Sequence, residues 1–425
     1  MAEKYGHISS LVADRLGGEG FFEGGTLYKF GKIKEAKGEA VKNNPGVPLI
    51  DMGVGEPHMM ADETVIDSLH AEAIKWENRG YSDNGIQEFK DAASRYMVAH
   101  FGVRIDNNSE VLHTVGAKNA LAFLPMGFVN PGDTVITTVP GYPVMGTLAG
   151  WLGGEVYKAE LRKENNFMPD LDSIPDDVLD RAKLFYVNYP NNPTGAQATE
   201  DFYENLVSKA KDHNFIVVQD GAYSLLTYGS HPESFLSVPG AKDVGIELHS
   251  VSKGYNMTGW RLAFAAGNED VIKVLGGVKD NFDSGQFKAI QKAVAYAAFE
   301  NFYIPRDTAD EYQRRLEMMV EGLGDVGFDA RMPDGTFFLY VPSPKGAGDN
   351  EFGSAEDASQ YLIKECLIST VPWDDIPDQP HLRFSATFPT LQGSTEGMTE
   401  KEKMEAEKQT IDEMVSRMKE VNLRF

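Results

Sequence analysis

From residue 60 to residue 267 the chain alternates short apolar runs with stretches whose apolar side chains recur at helical spacing. Strands separated by helices cannot close as hairpins. They pair in parallel, and the intervening helices cover both faces of the sheet. This pattern predicts a mostly parallel α/β core. Strands are expected at residues 111–115 (VLHTV), 133–138, 184–188 (LFYVN), 215–219 (FIVVQ), 245–250 (GIELHS) and 262–267 (LAFAAG), with helices at 117–126 and 199–212. The second of these helices has a Thr199 cap, an acidic first turn, and Phe202, Leu206, Val207 and Ala210 along one face. Past about residue 300 the pattern changes to charged amphipathic helices at 307–323 and 401–421 around one strand at 336–341, which predicts a second, smaller α+β lobe. The expected division is 1–59 as an N-terminal arm and small-lobe segment, 60–299 as the large lobe, and 300–425 as the small lobe. Met318, Met319, Met414 and Met418 read as core packing of the small lobe, and the charged run 400–408 as a solvated helix face.

Of 425 residues, 64 are Asp or Glu and 40 are Lys or Arg, a formal charge of −24. With no polybasic run to offset it, neither a nucleic-acid backbone nor an anionic membrane surface is an expected partner. The longest uncharged stretch, 134–154, is broken by Pro140, Pro143 and several glycines, and reads as strand, turn and helix inside a core rather than a membrane span. The single cysteine, Cys366, cannot form an internal disulfide, and no CxxC pair or tight histidine group offers the ligands of a metal site. Glu3, Asp14, Glu19 and Glu23 occupy the first thirty residues without an apolar h-region, so no leader is expected and the chain reads as cytoplasmic.

In a parallel sheet, ligands bind beyond the carboxyl ends of the strands. After VLHTV comes Gly116-Ala117-Lys118-Asn119, a small turn opening a helix whose free N–H groups and Lys118 suit an anion. After LFYVN comes the rigid loop Tyr189-Pro190-Asn191-Asn192-Pro193-Thr194-Gly195, with an amide at its tip. After FIVVQ come Asp220 and Tyr223, and after GIELHS come Ser252-Lys253 and then Gly259-Trp260-Arg261. Turn chemistry, a helix cap and a surface lysine explain each of these singly, but not their arrival together on consecutive strand ends. An acid, a phenol, an amide, a lysine and an arginine so placed are what a pyridoxal phosphate site requires. The lysine forms the Schiff base, the acid holds the pyridine nitrogen protonated, and the amide and phenol bond the ring hydroxyl. Ser250 and Arg261 supply a hydroxyl and a bidentate fork for the phosphate. Lys253 as a proton shuttle needs an amine pKa depressed by burial and nearby positive charge.

At these residues the chain resembles the class I/II aminotransferases of fold type I. It matches their motifs Asn192-Pro193-Thr194-Gly195, Asp220-Gly221-Ala222-Tyr223 and Ser250-Val251-Ser252-Lys253, followed by Arg261, in order and spacing, and the likeness runs over about residues 51–385. The resemblance implies pyridoxal 5'-phosphate as cofactor, amino acid and 2-oxo acid substrates, and a homodimer with shared active sites. It implies Lys253 as the Schiff-base lysine and catalytic acid/base, Asp220 as the pyridinium partner, and Asn192 and Tyr223 on the ring hydroxyl. The phosphate is then held by Ala117, Lys118, Ser250 and Arg261, Tyr142 stacks on the ring, and Tyr81 reaches the phosphate of the partner subunit. Arg383, in Leu382-Arg383-Phe384-Ser385, resembles the arginine that binds the substrate α-carboxylate as a bidentate fork, with Lys118 and Asn192 also beside the substrate. Gly55, in Gly53-Val54-Gly55, resembles the family's glycine turn next to the substrate. It is not part of a dinucleotide fingerprint, since His58 stands where the third glycine belongs.

Within that family, Tyr81-Ser82-Asp83-Asn84-Gly85-Ile86, Gly245-Ile246-Glu247 and Tyr255-Asn256-Met257-Thr258-Gly259-Trp260-Arg261 are similar to the LL-diaminopimelate aminotransferases. Members of that subgroup make LL-2,6-diaminopimelate from tetrahydrodipicolinate with glutamate as donor, on the lysine and peptidoglycan route. By this likeness Tyr28 and Asn281 contact the distal end of the substrate, and Asp83 stands in for a glutamate that the chain lacks. Alternatives at this point are an aspartate or aromatic amino acid aminotransferase, a β- or γ-lyase on the same scaffold, and a cofactor-binding regulatory module. The charge of −24 and the want of a helix-turn-helix segment before Asp51 weigh against the last.

Overall fold

A computed structural model of the chain describes residues 7–23, 29–229, 232–395 and 397–425. Its main sheet has seven strands: β1 (Val111–Thr114), β2 (Thr134–Val139), β3 (Glu155–Glu160), β4 (Ala182–Asn188), β5 (Ile216–Asp220), β6 (Gly245–Ser250) and β7 (Ala263–Gly267). Their spatial order is β1-β7-β6-β5-β4-β2-β3. Every neighbouring pair is parallel except those made by β7, which runs against both β1 and β6. The expected strands lie close to their expected bounds, and β3 is the addition. It is a charged edge strand with only Ala159 buried, so it lacks the apolar run that marks the others.

Side chains alternate across a strand, so each inner strand feeds two cores. Phe185 and Val187 of β4 share a core with Phe89 and Ala92 of the helix Gln87–Phe101 and with Leu206 of the helix Glu200–His213. Leu184 and Tyr186 face the other way, with Leu121 and Leu124 of the helix Ala117–Phe128 and Leu275 of Glu269–Lys279. Glu200–His213 begins as expected: the Thr199 side chain accepts from the Phe202 N–H, and Asn214 ends the helix in a left-handed conformation.

A further core gathers around a three-stranded antiparallel sheet of β8 (Phe338–Pro342), β9 (Val371–Trp373) and β10 (His381–Ser385), with β10 in the middle. The helices Tyr303–Val326, Ala355–Cys366 and Glu400–Glu420 cover it. Only one strand was expected here. β10 escapes the apolar pattern because all five of its residues are buried, His381 and Arg383 included. Tyr303–Val326 starts earlier than residue 307 because Pro305 lies in its first turn, where a missing N–H forfeits no helical bond. The parallel pair Ile50–Asp51 and Ile368–Ser369 draws the chain just before Gly53 into this second core.

Two expectations for this region need correction. Met319, Met414 and Met418 are fully buried, but Met318 is only half-buried. The charged run 400–408 is not all solvated: Glu407 is completely buried 2.6 Å from Arg314 Nη1, and Lys403 Nζ lies 3.1 Å from Glu311 Oε1. Arg315, also buried, donates from Nη1 to His58 Nε2 at 2.7 Å. Desolvation pushes His58 down to about 4, so its ring is neutral and able to accept. Donor atoms of His58, Glu311 and Glu407 come within 4.8 Å of one another, but Arg314, Arg315 and Lys403 already neutralise the two carboxylates. Among the described residues, no helix is long and apolar enough to cross a membrane.

Candidate active site

Because β4, β5 and β6 are parallel neighbours, the turns after them emerge side by side. Together with the first turn of Ala117–Phe128 they line a cavity of about 310 Å³, and Gly55, Phe338 and Arg383 contribute from the second core's side. Ala117, Lys118, Tyr142, Asn192, Asp220, Tyr223, Ser250, Lys253 and Arg261 all border it.

Asp220 is the last residue of β5 and is buried. Its Oδ1 accepts from the Ala222 N–H at 3.2 Å and its Oδ2 from the Tyr186 hydroxyl at 3.2 Å, while Asn188 Nδ2 donates to its backbone oxygen at 2.7 Å. Burial outweighs these bonds and pushes the carboxyl up to about 6. Tyr223 packs edge-on to Phe337 and Phe338, and its phenol is likewise shifted upward by burial, so it stays protonated.

Lys253 lies in the short helix Val251–Gly254 after β6, capped by Ser250, whose Oγ accepts from the Ser252 N–H at 3.1 Å. Its Nζ donates to the Gly55 carbonyl at 2.7 Å. Burial, and then the positive charges of Arg383 and Arg261, bring the amine down to about 8, so a usable fraction is the free base near neutrality.

These two shifts have opposite consequences for stability. Asp220 holds its proton more tightly folded than unfolded, so its burial penalty is absent below 3.8 and grows as the pH rises to about 6. The Lys253 penalty is fully present below about 8 and is lifted as the pH rises toward 10.5. In ligand-free protein, wild type should therefore lose melting temperature relative to Asp220→Asn between pH 3.8 and 6, with no further change just above. Parallel melting curves for the two proteins across that interval would refute the burial argument.

Arg261 ends the turn Thr258–Trp260 in a left-handed backbone conformation, φ 56°, and its Nη1 donates to Thr258 O at 2.8 Å. Its guanidinium crosses Gly116 so closely that an added Cβ there would lie 2.3 Å from Nη2, and Gly116 itself has φ 80°. Only glycine meets both demands. Arg261, Lys118, Ser250 and the helix N-terminus at Ala117 thus gather at one end of the cavity, a donor set suited to a phosphate.

Arg383 reaches the cavity from β10 and is buried. Nη1 donates to Asn192 Oδ1 at 2.9 Å, Nη2 to Gly53 O at 3.3 Å, and the guanidinium carbon lies 4.0 Å from the Phe338 ring centre. A planar cation held on edge and face is prepared for a carboxylate.

Tyr81 is 81% exposed and does not line the cavity of its own chain. Asn281 is exposed too, its Nδ2 bonded to Gly277 O. Asp83 sits in the loop beside Tyr81, where its backbone oxygen accepts from Lys279. Tyr28 lies outside the described residues. Tyr186, Asn188 and Phe338 belong to the site with no role expected from the sequence, and Ser252 and Thr258, which appear there only within motifs, line it too. Tyr186 and Asn188 are two apart on β4 and so share a face, a signal available only once β5 is known to lie alongside.

A family model described as aminotransferase class I and II matches residues 47–392. An LL-diaminopimelate aminotransferase of Methanocaldococcus jannaschii is 54% identical over 420 residues, which cover 99% of each chain. Among solved structures, substrate-bound BacF from Bacillus subtilis aligns with a TM-score of 0.82 at 29% identity, covering 94% of this chain and 97% of that one. A single-mutant aspartate aminotransferase from Thermus thermophilus aligns with a TM-score of 0.81 at 25% identity, covering 96% and 99%.

Proposed function

Since the chain belongs to the class I and II aminotransferases, pyridoxal phosphate enzymes of fold type I, we propose that it moves an amino group between LL-2,6-diaminopimelate and 2-oxoglutarate. The observation that carries the substrate is the 54% identity, end to end, with an enzyme of that name. The reaction class is supported by Lys253, Asp220 and Arg383 meeting in one cavity.

The residues present fit the cofactor. A phosphate would be held by Arg261, Lys118, Ser250 and the N–H of Ala117, and the protonated ring nitrogen by Asp220. The ring hydroxyl falls to Asn192 and Tyr223, and the ring face to Tyr142. When bound, pyridoxal phosphate supplies an electron sink for the charge that develops at the substrate Cα. Asp220 stabilises that sink because its carboxylate, deprived of water, gains most from a cationic partner. Lys253 would hold the cofactor covalently at rest, and its free amine, poised near working pH, would take the proton from the substrate Cα. Arg383 exchanges Asn192 and Gly53 O for the substrate α-carboxylate, which fixes the Cα hydrogen toward Lys253.

Two copies of the chain complete the site in this reading. Ser82 N and Asp83 N both donate to Ser284 O, so the loops carrying Tyr81 and Asn281 lie together on a surface that also exposes Phe282 and Phe287. We assign this surface to a homodimer in which Tyr81 reaches the partner's phosphate and Asn281, Asp83 and Tyr28 serve the distal end of the substrate. Residues 1–59 are then the arm and small-lobe segment, 60–299 the cofactor lobe and 300–425 the rest of the small lobe. A cytoplasmic site of action accords with the one buried, unpaired thiol, Cys366.

The test is a half-reaction. Mixing the pyridoxal form with LL-diaminopimelate or glutamate should convert it rapidly to the pyridoxamine form, with aspartate and aromatic amino acids slower. Conversion by aspartate or aromatics alone would keep the aminotransferase and discard the substrate.

A further inference from the structure

Arg261 is held from behind the cavity as well as within it. Its left-handed backbone is unfavourable for a residue with a side chain, and the group that fixes the two peptide oxygens around it is Gln286. Gln286 Nε2 donates to Trp260 O at 2.5 Å and to Arg261 O at 3.0 Å. With both N–H bonds so directed, Oε1 can only accept, and it stands 3.1 Å from His113 Nε2. His113 is fully buried, and desolvation brings it down to about 4, so its ring is neutral. The network places the single ring proton on Nε2, as Oε1 requires.

The backbone of Gln286 is tied just as closely to the Tyr81 loop. Ser82 Oγ donates to Gln286 O at 2.7 Å and accepts from Gln286 N at 3.0 Å. Buried Gln291 donates from Nε2 to Ser82 Oγ at 2.8 Å and to Gln286 O at 2.9 Å, while its Oε1 accepts from Ile86 N at 3.0 Å. Lys279, also buried, closes the loop by donating to Asp83 O at 2.7 Å and to Asp283 Oδ1 at 2.6 Å. Gln286, Ser82, Gln291 and Lys279 thus all donate within one connected cluster, which makes it a rigid strut rather than a loose surface loop.

We propose that Gln286 is a positioning residue for cofactor phosphate binding, setting Arg261 toward the phosphate in its own chain and, through Ser82, setting Tyr81 toward the phosphate bound by a second copy. The inference rests on the reading of Arg261 and Tyr81 given under the proposed function. It adds that both phosphate groups of the dimer are steered from one residue that touches neither, Arg261 by its side chain and Tyr81 by its backbone.

The test compares full-length variants, stripped of cofactor, titrated with pyridoxal 5'-phosphate and with pyridoxal, which lacks the phosphate. Gln286→Met keeps the volume and removes both N–H donors. It should weaken pyridoxal phosphate about tenfold, equivalent to about 1.4 kcal/mol, and leave pyridoxal unchanged. In an Arg261→Met, Tyr81→Phe background, adding Gln286→Met should cause no further loss, because its effect passes through those two residues. If Gln286→Met does not fold, Gln286→Ala takes its place, since it removes the same donors without adding a charge beside the phosphate site and leaves room for water at the freed oxygens. Equal weakening of both ligands, no weakening of either, or full additivity in the double-variant background would overturn the assignment. Should Arg261→Met alone leave phosphate-dependent affinity intact, the phosphate pocket itself would be wrong. Should Arg261→Met weaken it while Gln286→Met is silent, only the positioning role falls.

Discussion

Lys253→Ala is expected to lower turnover by about 10⁴-fold or more, because one substitution removes both the proposed covalent anchor of the cofactor and the proposed base at the substrate Cα. The visible absorbance produced by the cofactor's bond to the lysine should vanish with it. In cofactor-free protein, stability should not fall. The Lys253 side chain makes one hydrogen bond, to Gly55 O, while its amine is held well below the ordinary lysine range by burial. Removing a charge that the interior disfavours should therefore leave the melting temperature level or raised. Substantial turnover in the variant would take Lys253 out of the centre of the mechanism.

Arg383→Ala should reduce kcat/KM for every amino acid substrate by about 10³-fold, or about 4 kcal/mol, the worth of two charge-assisted hydrogen bonds to a desolvated carboxylate. Cofactor affinity should change little, since Arg383 lies on β10 with Asn192, Gly53 and Phe338 rather than with the phosphate donors. Arg383→Lys should recover little of the loss: an ammonium keeps the charge but neither the fork nor the flat face that rests on Phe338. A steady-state split in which only the cofactor constant moved would contradict the carboxylate role.

The reason these residues were legible in the sequence is topological. Parallel strands deliver their following turns to one edge, so Asn192, Asp220, Ser250 and Lys253 could be gathered from strand ends alone. Arg383 could not be found that way, because β10 belongs to another sheet and its apolar signal is interrupted by the residues it buries. Only the resemblance of Leu382-Arg383-Phe384-Ser385 to the family's carboxylate-binding segment points to it. Tyr186 and Phe338 depend on which strands and lobes are neighbours, and no periodicity within β4 or β8 reports that. Glu407 illustrates the same limit for charge: within its own helix it belongs to a solvated run, and only the approach of Arg314 and Arg315 from Tyr303–Val326 makes its burial tolerable. Tyr81 and Asn281 face outward, as the proposed dimer requires, and no reading of one chain's strand ends leads to them.

Asp220 and Lys253 also bear on how long a molecule of this protein survives. An empty chain near neutral pH confines a carboxylate that burial disfavours and an amine whose charge burial disfavours, side by side in one cavity. A ligand that offers a cation to the first and a covalent bond to the second removes both burdens, and its binding stabilises the fold by about 2.7 kcal/mol at a concentration one hundred times its Kd. Heat resistance thus becomes a gauge of occupancy, and vitamin supply a determinant of abundance. Chains left unfilled open more often and are the ones proteases clear, so starvation for the cofactor should thin the enzyme pool as well as idle it.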